Sequence, residues 1–347
     1  MTSRIFVVIW ALAALGLAPG AAAHDNHPLE IEGTAITSIV TTHPLAPEVA
    51  VGGQEALFTW DGSTWTAAGT TVPVGQLVWG GGESETWLAG DQPGCMMGGG
   101  TAPMQRSADQ GATWNEVVGT EGFKPLVIWQ STGTAVATSC TGLSVSTDDG
   151  ATWSQVPDIP AGFEVTSAGE VVSAETDQQR LLLGLTGEGG TSALYLLDLT
   201  DPANPVVTPD LRTYYAVGAL TGWDDTLVVG AMDGVWVSTD DGATWEHHAE
   251  GLEDLVLEQD PAEAGLPEDA DPRNLGVSAI SPLPGEKGGL VVGTSDGLYV
   301  STEIGAPFTQ VEGTAGRVEQ VQVSADGTVL YRVESQVFVT EFTNSAS

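Results

Sequence analysis

Ser146-Thr147-Asp148-Asp149-Gly150-Ala151-Thr152-Trp153 returns unchanged at Ser238 to Trp245, and a near copy, Ser-Ala-Asp-Gln-Gly-Ala-Thr-Trp, runs from Ser107 to Trp114. Weaker copies occupy Thr59 to Trp65 and Ser301 to Phe308. Such an internal repeat marks a supersecondary unit that buries its faces against its own neighbours. An aspartate two residues ahead of a glycine makes a tight turn, because the carboxylate accepts backbone N–H bonds and glycine supplies a positive φ. Apolar residues alternate before it, Leu143 and Val145 in one copy and Val235 and Val237 in another, so the turn joins two antiparallel strands. The closing tryptophan is expected in the core, where truncation would cost about 3–5 kcal/mol.

Outward from these turns, strand-like segments run from Leu29 to Phe342 with no helical period. Short, evenly spaced strands in a repeat of roughly 40–50 residues predict a propeller. Asp61, Asp109, Asp148 and Asp240 mark successive units, with Glu303 at a degenerate position. Two units fit between Asp148 and Asp240, and Leu194 to Val207 reads as a hairpin turning at Asp201 without the motif. Three strands close the chain, Val318 to Val323, Thr328 to Val333 and Gln336 to Phe342, while Leu29 to Gly33 is a strand without a unit. The expectation is an all-β chain forming a single seven-bladed β-propeller of four-stranded antiparallel blades, with six as the competing count. The N-terminal strand would close the ring and remove an open sheet edge.

Residues 1–23 carry Arg4, an apolar run from Ile5 to Leu17, and Ala21-Ala22-Ala23, which read as a secretory signal peptide with its cleavage site. The expected mature domain is 24–347, periplasmic or secreted, without membrane insertion. Aspartate and glutamate number 46 against 9 lysines and arginines, for a net charge of −37. That field repels nucleic acid and anionic lipid and excludes both as partners. Glu250 to Arg273, with nine acidic residues and three prolines, reads as a long solvated acidic loop.

The turn residues Asp61; Ser107, Asp109, Gly111 and Trp114; Ser146, Asp148, Gly150 and Trp153; and Ser238, Asp240, Gly242 and Trp245 resemble the Asp-box, or BNR repeat. That box occurs in sialidases, sortilin-type receptors, some glycoside hydrolases and photosystem II assembly factors. The resemblance implies a structural hairpin on the face away from any active site. Sialidases also carry an arginine triad that begins in an Arg-Ile-Pro motif; here the only Arg-Ile is Arg4-Ile5, followed by Phe6. The photosystem II assembly factors display a basic arginine patch that this acidic chain lacks.

In a four-stranded blade the second-to-third loops emerge on the face opposite the box turns. That rule puts Cys95, Met96, Met97 and Met104 in one enlarged loop, Cys140 in the next blade's loop and Met232 in a later one, all on the top face. Arg212 and Arg273 map near top-face connections and join this candidate ligand face. A Cys95–Cys140 disulfide is the expectation for an exported chain, closing a loop of about 46 residues worth roughly 4 kcal/mol. A second reading is a copper site, since soft sulfur ligands select Cu(I), with His24 and His27 joining Cys95 and Met97. His247 and His248 are adjacent on a strand, face opposite ways, and are expected to be exposed. A third reading, glycan hydrolysis, needs a carboxylate pair or clamp on the same face. The sequence favours an exported, non-catalytic, monomeric propeller that needs no cofactor and binds a protein or small ligand through its top face.

Overall fold

In a computed structural model the chain is described at residues 23–29, 36–41, 49–53, 57–60, 65–68, 76–79, 86–90, 102–129, 131–157, 159, 164–172, 178–186, 191–209, 213–215, 217–256, 276–284, 288–323, 327–334 and 336–342. All the regular structure among them is β. The strands form antiparallel meanders in chain order. Strands β2 (Ile36–Thr41), β3 (Val49–Gly53), β4 (Leu57–Trp60) and β5 (Trp65–Ala68) make one sheet; β6 (Gln76–Trp79), β7 (Trp87–Gly90), β8 (Pro103–Ser107) and β9 (Asn115–Glu121) make the next. A third contains β10 (Lys124–Trp129), β11 (Thr134–Ser139), β12 (Gly142–Ser146) and β13 (Ser154–Gln155).

A nine-stranded sheet holds two meanders. They are β14 (Glu164–Val172) to β17 (Val206–Thr208), and β19 (Ala219–Trp223) to β22 (Glu246–His248). Between them run β15 (Arg180–Thr186) and β16 (Thr191–Asp198), with β20 (Thr226–Ala231) and β21 (Gly234–Ser238), while β18 (Thr213–Tyr215) pairs with β16. The halves meet where Val171 and Val172 of β14 pair in parallel with Gly222 and Trp223 of β19. Strands β23 (Ala279–Pro282), β24 (Leu290–Thr294), β25 (Gly297–Ser301) and β26 (Thr309–Gln310) follow. In the last sheet β27 (Val318–Val323), β28 (Thr328–Val333) and β29 (Gln336–Phe342) are joined by β1 (Ala23–Leu29), which pairs Ala23 with Phe342 and Leu29 with Val337. The N-terminal strand therefore begins earlier than Leu29, while 30–33 lie outside the described residues.

Burial follows position within each meander. Middle strands are buried on both faces and read as continuous apolar runs: β15 is buried from Arg180 to Leu185 and β24 throughout. Last strands such as β13 and β26 are exposed at both residues. The clusters lie between neighbouring meanders, as where Val127, Val136 and Val145 pack with Val165, Leu181 and Leu183. Burying each Leu or Val contributes about 1.5–3 kcal/mol, so the stabilisation is spread around the molecule. Close approach of first strands needs glycine: a Cβ at Gly169 would stand 2.1 Å from Leu220 O, and one at Gly218 would stand 2.2 Å from Val277 O.

The repeated turn has the same hydrogen bonds in all three good copies. Ser107, Ser146 and Ser238 each donate from Oγ to Oδ1 of the aspartate two residues on, at 2.8 Å. The serine Oγ in turn accepts the N–H of Gly111, Gly150 or Gly242 at 2.8, 2.9 and 2.8 Å. Thr113, Thr152 and Thr244 bond the carboxylate twice, through backbone N and through Oγ1. Two successive residues take a left-handed backbone, Gln110 (φ 57°), Asp149 (56°) or Asp241 (54°) and then the glycine. Trp114, Trp153 and Trp245 are half-buried rather than fully enclosed, and each indole donates to its glycine carbonyl. In the degenerate copy Ser301 Oγ turns to the carbonyls of Glu303 and Ala306 (2.8 and 2.9 Å), and Phe308 is buried where tryptophan would stand. The turn at Asp61 lies outside the described residues.

Candidate functional site

The first strands of six meanders surround one cavity of about 390 Å³. Gln76 of β6, Lys124 and Leu126 of β10, Val165 to Ala168 of β14, and Ala219 and Leu220 of β19 line it. Ala279, Ile280, Glu319, Gln320, Val321, Gln322 and Arg332 continue the lining from β23, β27 and β28. β6, β10, β23 and β27 each end their sheet, so each turns an unpaired backbone edge toward this space. That edge makes the cavity polar although the core around it is apolar.

Strand register gives the cavity a direction. Lys124, which opens β10, pairs with Thr138, and Thr138 pairs with Leu143, so the lysine stands at the same end as the Cys140 connection. Ala219 pairs with Gly230 and Gly230 with Val235, which puts the opening of β19 at the end that carries Met232. Trp129, at the other end of β10, pairs with Thr134 beside Gly133, whose carbonyl accepts the N–H of Asp149 at 2.8 Å. The repeated turns thus sit at the end away from Lys124 and Cys140.

The turn face is latched by two arginines. Arg106 Nε of β8 donates to Asp149 O at 2.7 Å, binding one meander to the turn of the next. Arg180, its side chain 6 % exposed, donates Nη1 to Asp241 Oδ1 at 2.7 Å and Nη2 to Asp224 O. The turn carboxylates are held below their ordinary value. For Asp109 and Asp240 the threonine hydroxyl is the main cause; for Asp148 burial pushes upward but is outweighed by its hydrogen bonds from Thr152 and Ser146.

Of the expected sulfur ligands, Met104, Met232 and Cys140 are among the described residues. Met104 is fully buried inside β8 against Leu88 and Ile128, so it is a core residue and not a loop ligand. Met232 is 3 % exposed and is likewise closed to a ligand. Cys140 is exposed and disulfide-bonded, which leaves no thiolate there. Cys95, Met96, Met97, Arg212 and Arg273 lie outside the described residues. His24 and His27 belong to β1, opposite Glu341 and Val339. Among the described residues no group of three or more His, Cys, Asp or Glu is placed to hold a metal ion.

Two further expectations are corrected. His247 is exposed and lies against Trp236 with ring centroids 4.5 Å apart, but His248 is half-buried, and burial foremost draws its pKa down. The acidic segment starts packed rather than solvated, with Leu252 and Val256 in the core; 257–275 lies outside the described residues.

Arg332 and Lys124 were missed as site residues. Arg332 sits in a second strand, where it donates Nε to Gln320 Oε1 at 3.0 Å and Nη1 to Glu319 and to Glu334 O. Burial lowers its pKa, with Glu319 acting in the opposite direction.

No protein-family model matches the chain, and no curated protein matches it. Solved structures do. YCF48 bound to D1 peptide superposes with a TM-score of 0.63 at 11 % identity, over 94 % of this chain and 100 % of that one. The WD40 β-propeller domain of Doa1 gives 0.58 at 13 % identity, over 94 % and 98 %. The fold is a β-propeller. The extracellular domain of the one-component system BT4673 from B. thetaiotaomicron gives 0.60 at 11 % identity, over 92 % of this chain and 40 % of that one. At these identities the likeness concerns fold alone. Within the propeller the described cavity is the central channel, and no described helix is long and apolar enough to cross a membrane.

Proposed function

We propose that the chain is an exported, non-catalytic, seven-bladed propeller of the Asp-box type that binds a peptide or small ligand at the mouth of its central channel. Counting the nine-stranded sheet as two blades gives seven, with β1 completing the last. Removal of residues 1–23 as a signal peptide would leave a chain that starts within β1. Cys95 is the sole other cysteine, so a Cys95–Cys140 bond would tie two neighbouring loops beside the channel mouth.

The observation that carries this reading is the polar channel itself, lined from six first strands. Its volume lies in the range of small-ligand sites. YCF48, of similar fold, was solved with a peptide bound. Among the described lining residues Glu319 is the single carboxylate, against the pair that glycoside hydrolysis uses, which favours binding over catalysis. Copper handling loses support with Met104 and Met232 buried and Cys140 bonded.

The test is a peptide and metabolite library screened by thermal shift against residues 24–347 and against Thr166→Trp. Thr166 is an exposed lining residue, so an indole there fills the channel without entering the core. Hits lost in Thr166→Trp support the reading; an absence of hits, or hits indifferent to that change, refutes it.

A further inference from the structure

We propose that the central channel takes a carboxylate and that Arg332 is the residue that recognises it. This deepens the reading above and rests on the channel being the binding site. The chain carries 46 acidic residues and 9 lysines and arginines, yet among the described lining residues Lys124 and Arg332 are present with one carboxylate, Glu319. At physiological ionic strength charges are screened beyond about 8 Å, so these lining groups outweigh the acidic outer surface.

Arg332 is built to receive such a group. Its side chain is 13 % exposed, and three acceptors, Gln320 Oε1, Glu319 Oε2 and Glu334 O, fix the guanidinium through Nε and Nη1. Nη2 makes no hydrogen bond to any described residue, so its two N–H donors are left for a ligand. A guanidinium already held in place loses little freedom on binding, and a charge-assisted bond to a carboxylate completes it. A phosphate dianion would call for more cationic donors than this lining holds.

The carboxylate could arrive on a small organic acid or at a peptide C-terminus, and the probes separate these sources. Hexanoate and its amide, and N-acetyl-tetraalanine and its amide, are titrated into residues 24–347 by ligand-observed NMR. Acids are expected to bind about tenfold more tightly than amides, as for a hydrogen bond to a charged group. Hexanoate binding assigns a small acid; binding of the peptide acid alone assigns a chain terminus. Arg332→Gln should bring acids to the level of amides, while Arg106→Gln, on the turn face, should change nothing. Glu319→Gln keeps Arg332 and raises the channel charge, so the acid should bind more tightly there. Acids equal to amides, or no gain in Glu319→Gln, overturn the proposal. Amides that bind as well as acids and are lost in Thr166→Trp would leave the channel reading standing alone; no binding by any probe sinks both.

Discussion

Asp241→Asn should destabilise the protein more than Arg180→Met, although both break the same ion pair. The asymmetry comes from exposure: the Arg180 side chain is 6 % exposed and the Asp241 side chain 46 %. Removing the arginine leaves a carboxylate that water can reach, and it also removes a guanidinium whose Nε is buried without a partner. The expected loss is about 1 kcal/mol or less, near that of a partly exposed pair. Removing the carboxylate charge leaves a buried guanidinium without a counter-ion, for which about 3 kcal/mol is expected. Asparagine tolerates the left-handed backbone at this position (φ 54°), so the comparison is not confounded by strain. In an Arg180→Met background Asp241→Asn should cost almost nothing, giving a coupling near 2–3 kcal/mol in the double-mutant cycle. Urea unfolding at pH 7, followed by tryptophan fluorescence, measures all four proteins. An Arg180→Met loss above that of Asp241→Asn would refute the account of which charge is buried.

The remaining expectations concern the turns, the first strands, acid and the disulfide. Ser107→Ala, Ser146→Ala and Ser238→Ala each strip the acceptor from a buried glycine N–H and should each cost about 1–3 kcal/mol in urea unfolding, nearly additively because they share no partner. Gly169→Ala puts a Cβ 2.1 Å from Leu220 O, a backbone atom that cannot step aside, and should lower the midpoint of thermal unfolding by about 1–3 kcal/mol in equivalent stability. The turn carboxylates have folded pKa values below the ordinary 3.8, so their contribution is complete above that value and fades as pH falls through the lowered one. With a net charge of −37 at pH 7, partial protonation relieves self-repulsion first; calorimetry should therefore show stability rising as pH falls from 7 and then collapsing as pH falls past 3.8 and through the lowered values of the turn carboxylates. Cys140→Ser should cost up to about 4 kcal/mol, and the unaltered chain should weigh about 2 Da less than its reduced form by intact mass.

Much of the fold was legible because the turn writes its own chemistry into eight residues. The strands Val318–Val323, Thr328–Val333 and Gln336–Phe342 stand where alternation put them, since each is bounded by turn residues. The N-terminal strand was displaced by several residues: its pairing with β29 is decided by tertiary contact, and His24 to Pro28 carry little strand preference. Met104 was read as a loop residue because Gly98-Gly99-Gly100 extends the apparent loop, whereas β8 already begins at Pro103. The channel was not legible. Lys124 and Arg332 line one cavity only because strands far apart in sequence surround one axis.

The pairing of β1 with β29 also orders events in time. β1 has to wait for β29, since His24 finds its partner only at Glu341. A ribosome or a translocation pore would have released all the residues between them before that sheet could be completed. Contacts of such long sequence separation slow folding. During that wait β29 offers a bare edge, and the dense negative charge of the chain then keeps half-finished molecules from finding one another's edges.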